Sequence, residues 1–433
     1  MTQLRNIALV ASILILWQGF PFSTVGLPQY LGQQVAAAII LLGVMGWVLL
    51  ALRGIATIGL WETSIIAFFA YCIIVSLIYS TFLSPQPLTE WVPALYAIVP
   101  VLLIFPLRFM RVKLDEVFAA IILVAVIGAV LQDFDQFYNL GFLDQYVRGS
   151  YLGSTRRLEL FRTEMAFALV ISFARLLNAK KPRQRLSCLA VLLLVGYALF
   201  AVAEARLPMS AVLIGCTLYL LVMYRDSKKP LVVSFAVILA VVILPLMLGK
   251  YIHYLNTIGD IRVNDTGIAF RALEWTHFNA AFEKTHGIGF GVMSAGAGKN
   301  NIISFANNYA GYLYGTGSYG AGLVDTGLWA AMFQFGYLGL AVVLGMTAIV
   351  IRKLWKAGRA SNAYLYRTEC GAIAGVVIGL SISPLPTNFF SVGAYAPYGG
   401  LLWFMASAAF FQSKKEESIN KIIPKTMSIP KSR

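Results

Sequence analysis

The chain has 433 residues, of which 59% are hydrophobic and 12% charged, and it carries a net charge of +15. That charged share is about half the ~25% usual for a soluble globular chain, and no single water-soluble core absorbs so much apolar surface. Because the basic residues sit in separate short clusters between apolar runs rather than along one stripe, the excess charge does not describe a nucleic-acid-binding surface either.

Reading from the N-terminus, the first apolar run has no small-residue cleavage site before Pro21 and is expected to be a retained span rather than a signal peptide. A bilayer crossing takes about 20 apolar residues, and runs of that kind predict spans near 5–20, 31–52, 62–82, 91–108, 115–131, 160–178, 186–203, 207–224, 230–249, 328–351, 366–383 and 395–412. The expected fold class is therefore all-α, a polytopic membrane protein with about twelve transmembrane helices. Residues 1–249 form an N-terminal group of about nine spans, 250–327 a large loop containing short helices, 328–412 a C-terminal group of about three spans, and 413–433 a basic tail.

An even number of spans places both termini on one side. With that side inside, the inner segments hold 24 basic against 7 acidic residues and the outer ones 10 against 12. This sorting predicts cytoplasmic termini and an extracytoplasmic 250–327 loop. Cys72, Cys188, Cys216 and Cys370 lie in or beside apolar runs without short spacing between any two, which fits packing residues better than disulfides or metal ligands.

Most of the polar chemistry then falls outside. In the long loop, "NDTG" at 264–267 offers helix caps, an apolar-periodic segment runs on to Thr285, and His286 with Gly287 reads as a helix stop. Arg271, Trp275 and His277 stand on that segment. Arg148, Arg156, Arg157, Arg162, Arg206 and Arg262 also lie on outer segments, with Glu164 near the start of the sixth span. Outer arginines run against the charge sorting seen elsewhere. A guanidinium makes bidentate contacts with phosphate oxygens, so a lipid-linked diphosphate at the outer leaflet is a suitable partner. For Arg206 the plainer alternative is a side chain that snorkels to headgroups or pairs with Glu204.

Other features carry less. "GAGKN" at 296–300 lacks the glycine and the Ser/Thr of a phosphate loop. His253, His277 and His286 do not have metal-site spacing, and no metal or cofactor is expected. Among them His277 alone is a candidate to line a site. The loop aromatics, Trp275, Tyr309, Tyr312 and Tyr314, suit either stacking on sugar rings or a small core belonging to the loop itself.

Four separated pieces resemble one family, the Wzy-type polysaccharide polymerases and O-antigen ligases, multi-span glycosyltransferases acting on undecaprenyl-diphosphate-linked sugars. "FRALEW" followed by "HGIGFG" is similar to the Arg, Trp, Gly-x-Gly pattern of that family's large extracytoplasmic loop. "VDTGLWAAMFQFGYLGL" at 324–340 resembles the segment that ends the loop and enters the next span. "EARLPMSAVLIG" resembles the Arg-containing turn before an apolar span, and "FRTEMAFAL" a Glu-containing motif at the start of a central span. Where ligases of this group carry His-Asn, this chain has Asp325-Thr326, which looks more like the exopolysaccharide and colanic-acid polymerases.

The resemblance implies a metal-independent glycosyltransferase of the bacterial inner membrane that polymerises lipid-linked repeat units. It implies undecaprenyl-diphosphate-linked oligosaccharides as substrates, with a chain-length regulator and a flippase as accessory partners. It points to Arg206 and Arg271 for the diphosphate, Asp325 as base or acceptor-orienting group, and Glu164 as an acceptor-side or Arg-positioning residue. Arg157, Arg162, Trp275 and His277 are further substrate contacts. A ligase that transfers glycan to lipid A-core, differing only in acceptor, is the close alternative. A transporter or flippase of lipid-linked sugars is the alternative from another class.

Overall fold

The computed structural model describes residues 2–83, 95–138, 140–141, 143, 147–148, 157–158, 160–203, 206–223, 278–280, 282–292, 328–359, 365–381, 389–390 and 396–422. In chain order the helices are α1 (Thr2–Trp17), α2 (Gln29–Leu52), α3 (Leu60–Ile78), α4 (Ile104–Phe109), α5 (Leu114–Tyr138) and α6 (Arg162–Asn178). There follow α7 (Pro182–Tyr197), α8 (Arg206–Met223), α9 (Trp329–Arg359), α10 (Leu365–Ser381) and α11 (Ala396–Ile422). The ninth predicted span, 230–249, and most of 250–327 lie outside the described residues, whereas each of the other eleven predicted segments contains helix among its described residues. One two-residue strand pair interrupts the pattern: β1 (Val147–Arg148) runs antiparallel to β2 (Arg157–Leu158).

Leu31–Leu52, Leu60–Phe82, Leu114–Tyr138, Pro182–Val202 and Trp329–Gly358 are long and apolar enough to cross a membrane by length and composition. Shorter apolar helices cover Thr2–Trp17, Ile98–Phe109, Pro208–Leu220, Thr368–Ser381 and Ala396–Phe411. On α2 and α7 apolar side chains face outward, Leu42 being 66% and Leu193 67% exposed. Water tolerates such faces poorly and hydrocarbon tolerates them well. This is the make-up of a helical membrane protein.

Several boundaries differ from the sequence expectation for physical reasons. Pro100 has no N–H to donate, and Leu95–Leu103 takes a 3₁₀ course before α4 instead of continuing one α-helix. Helix α5 runs on to Tyr138 through residues read as outer loop, because Gln132 and Asp135 are buried rather than solvated. Helix α11 continues through "SKKEESINKI", whose lysines and glutamates are good helix formers, into the segment read as a tail.

Helix α6 sits at the centre: Thr163 to Ser172 are buried on every face, as expected of a helix surrounded by others. Around it pack α5, α7, α8 and α10. Helices α8 and α10 approach closely where Gly215 meets Gly375, and a Cβ on Gly375 would lie 2.8 Å from the Gly215 carbonyl oxygen. Small residues at such crossings let apolar helices gain contact where no hydrophobic force separates them from lipid.

Three polar links tie together one set of helix ends. Arg108 pairs with Glu62, Arg175 with Glu369, and Asn6 donates to Glu116 at 2.9 Å. At the opposite ends Gln18 donates to the Tyr398 hydroxyl at 3.3 Å, and the Tyr96 hydroxyl donates to Gln33 at 3.2 Å. Each link joins ends that the sequence reading assigns to one side.

Candidate functional site

Residues 278–280 and 282–292 form one unit with the start of α9 at the Gln18–Tyr398 end of the bundle. Phe278 and Phe282, four apart on a helical segment, share a face. They close on Phe290, Met332, Phe333 and Tyr79 in an aromatic cluster separate from the main core. The helical turn stops where His286 (φ 53) and Gly287 (φ 81) take left-handed backbone. Thr285 fixes the stop: its hydroxyl donates to the Phe282 carbonyl at 2.6 Å and accepts the Gly289 N–H at 3.0 Å.

Beyond the stop the chain lies against a break in α9. Gly336 has φ 73 and ψ −175, which interrupts the helical ladder and frees carbonyls that must find other donors. They do. Phe290 N–H donates to Phe333 O at 3.0 Å, Gly291 N–H to Gln334 O at 2.6 Å, and the Tyr71 hydroxyl to Phe335 O at 2.5 Å. In return Tyr337 N–H donates to Gly287 O at 3.3 Å. Two glycines are dictated by this contact. A Cβ on Gly289 would sit 2.5 Å from Gln334 O and 2.6 Å from Gly336 N, and one on Gly291 would strike Ser76, whose hydroxyl accepts the Val292 N–H at 2.9 Å. The "HGIGFG" and "MFQFGYLGL" segments, far apart in sequence, are thus hydrogen-bonded to each other.

A second polar centre lies at the same end, at the first turn of α6. Phe161 caps the helix in left-handed backbone and packs edge-on against Phe20 at 6.1 Å. Glu164 follows, fully buried, and among the described residues neither carboxyl oxygen has a hydrogen-bond partner of ordinary geometry. The Tyr398 hydroxyl is the polar group beside it, and Tyr398 in turn receives the Gln18 amide. Gln132 closes one wall by donating to the Leu160 carbonyl. A buried carboxyl without a paired charge is costly, and inside a membrane protein such a group marks a functional position by default.

The sequence-derived candidates distribute as follows. Glu164 occupies this centre, with Arg162 half-buried two residues earlier. Arg157 lies in β2, in register with Arg148, just before α6. Arg206 is the first residue of α8. Arg271, Trp275, His277 and Asp325 lie outside the described residues. In sequence, His277 directly precedes Phe278, and Asp325 stands three residues before Leu328.

Neither a protein-family model nor a curated protein matches this chain.

Several members of this region escape a search for charges. Gln18, Gln132, Tyr398 and Ser76 are uncharged, sit at span ends and look like ordinary interfacial residues. The signal for Gln18 and Gln132 was a lone amide just past an apolar run. The signal for the helix break was Gly336 inside "QFGYLG".

Proposed function

We propose that the chain is a membrane glycosyltransferase that extends a surface polysaccharide from lipid-diphosphate-linked repeat units at the outer face of the bacterial inner membrane. The observation that carries this reading is the pairing of a loop segment with the break in α9. "HGIGFG" and "MFQFGYLGL" belong to separate pieces of the resemblance, and backbone hydrogen bonds hold them together at the end of the bundle where Glu164 is buried. The segments immediately preceding them in sequence carry Arg271 and Asp325.

In the reaction, the bond from the anomeric carbon to the lipid diphosphate breaks and a bond to an acceptor sugar hydroxyl forms. The leaving diphosphate takes up negative charge, which Arg206 and Arg271 stabilise as preorganised cations. The hydroxyl proton passes to a carboxylate within hydrogen-bond reach, the role assigned to Asp325. Glu164, buried beside the Tyr398 hydroxyl, serves as an acceptor or Arg-positioning residue. Arg157 and Arg162, on either side of the entry to α6, supply further positive charge.

The test is glycan extension in cells expressing Arg206→Ala or Arg271→Ala. A charge-assisted hydrogen bond is worth about 1.5–3 kcal/mol, so losing one that strengthens in the transition state lowers the rate by about one to two orders of magnitude while the protein stays inserted. Lys at either position restores only part, since the bidentate fork is lost. Normal extension by both Ala variants reduces these arginines to headgroup anchors and removes the mechanism.

A further inference from the structure

Glu164 lies where three helices distant in sequence meet. It stands in the first turn of α6, Gln18 directly follows the last residue of α1, and Tyr398 belongs to the first turn of α11. The Gln18 side-chain N–H donates to the Tyr398 hydroxyl oxygen at 3.3 Å, and that hydroxyl is the polar group beside the Glu164 carboxyl. Among the described residues no cation pairs with Glu164.

The direction of the first bond decides the second. A tyrosine hydroxyl has a single proton, whereas an amide nitrogen can only donate. With its oxygen accepting from Gln18, the Tyr398 hydroxyl keeps its proton for an acceptor on another side, and the Glu164 carboxyl is the acceptor at hand. Hydrogen bonds linked in a chain polarise one another, so the Gln18 amide strengthens the donation from Tyr398.

Both donors stand on tightly seated backbone. A Cβ on Gly399 would overlap the Phe389 carbonyl oxygen, and one on Gly400 the Pro100 carbonyl oxygen, so the first turn of α11 rests directly on neighbouring chain. The end of α1 is held likewise: a Cβ on Gly32 of α2 would lie 2.5 Å from the Leu16 carbonyl oxygen. Tyr398 is 2% exposed, and its ring packs at 6.1 Å on Phe167, three residues beyond Glu164. The hydroxyl is thereby kept from exchanging Glu164 for bulk water.

We infer that Gln18 and Tyr398 are positioning residues for Glu164, a relay in which the Gln18 amide turns the Tyr398 proton onto the carboxyl and so fixes which way it faces; their effect on catalysis rests on the role proposed above for Glu164. The other tyrosine–glutamine link at this end runs in the opposite sense, with the Tyr96 hydroxyl donating to Gln33, and serves as a matched control.

The test places 3-fluorotyrosine at position 398 of the full chain in detergent, where the fluorine NMR shift reports on hydrogen bonding of the hydroxyl, and measures glycan extension in parallel. Glu164→Met and Gln18→Leu are each expected to move the signal, and Gln33→Leu to leave it in place. A signal unmoved by Glu164→Met overturns the inference. In extension, Tyr398→Phe is expected to lower kcat about tenfold and Gln18→Leu about threefold, with KM for the repeats unchanged, while Tyr96→Phe matches wild type. Gln18→Glu separates orientation from packing. It keeps the size of the side chain, but its carboxylate draws the Tyr398 proton away from Glu164, so it is expected to be slower than Gln18→Leu. A role in packing alone gives the reverse order, and that order overturns the inference. The fluorine spectrum needs no turnover: it tests the relay whether or not repeats are joined, whereas a wild-type chain that joins none overturns the transferase reading.

Discussion

Gly289→Ala is the most revealing single change in the loop contact. The new Cβ would sit 2.5 Å from Gln334 O and 2.6 Å from Gly336 N, backbone atoms that cannot swing aside. It would also occupy φ +92, where an L side chain costs about 1–2 kcal/mol. Relieving the clash means separating 289–292 from the α9 break. That loses the Phe290–Phe333 and Gly291–Gln334 hydrogen bonds, each worth about 0.5–1.5 kcal/mol. The sum is about 2–5 kcal/mol of local stability, and its lower end alone corresponds to about thirtyfold in an opening equilibrium. Hydrogen exchange by mass spectrometry on a peptide covering 286–292 reads this directly, because exchange of a protected amide follows the local opening free energy. Exchange in Gly289→Ala should rise at least about thirtyfold, and glycan extension should fall with it. Gly345→Ala, in the same helix with nothing near its Cβ position, should leave both unchanged. Unaltered exchange in Gly289→Ala would show that the two segments are not joined as described.

Glu164→Gln preserves volume and removes the carboxylate, so the protein should insert and melt close to wild type while extension is lost; wild-type extension would take Glu164 out of the site. Arg175→Met leaves Glu369 buried without its partner and should destabilise the protein by about 3–5 kcal/mol, read as thermal unfolding in detergent. Adding Glu369→Met should recover most of that loss, and a double variant no better than the single would show that the uncompensated Glu369 carboxylate is not its source. Reporter fusions near Lys299 should be extracytoplasmic and those near Lys228 and Lys415 cytoplasmic; a cytoplasmic reporter at Lys299 would invert the orientation and every outer-face assignment.

The helices were largely legible because a membrane span announces itself by unbroken apolar length, which survives without knowing what it packs against. Their ends were less so. Gln132 and Asp135 look like loop residues by polarity, yet the burial that keeps α5 helical to Tyr138 comes from neighbours such as Leu160, and no local pattern encodes it. Pro100 is a local sign of the irregular segment that reading 91–108 as one span passed over. The site divides in the same way. Glu164 stood out as a carboxylate beside an apolar run, and His286-Gly287 as a helix stop. The pairing of "HGIGFG" with the α9 break required knowing that Gly336 turns the helix off and that Ser76 from α3 waits for Val292. Those are three distant stretches whose backbone groups and Ser76 hydroxyl satisfy one another only in three dimensions.

The proposed activity is tested most directly with the purified full chain in liposomes, given undecaprenyl-diphosphate-linked repeat units as its only sugar substrate. Two lipid-linked repeats are both donor and acceptor for a polymerase, so the expected result is a ladder of longer lipid-linked chains, abolished in Asp325→Asn, which keeps the size of the side chain but not its basicity. Repeats that stay at single-unit length until a core-lipid acceptor is added would identify a ligase instead. Repeats that cross the bilayer without ever being joined would contradict glycosyl transfer altogether.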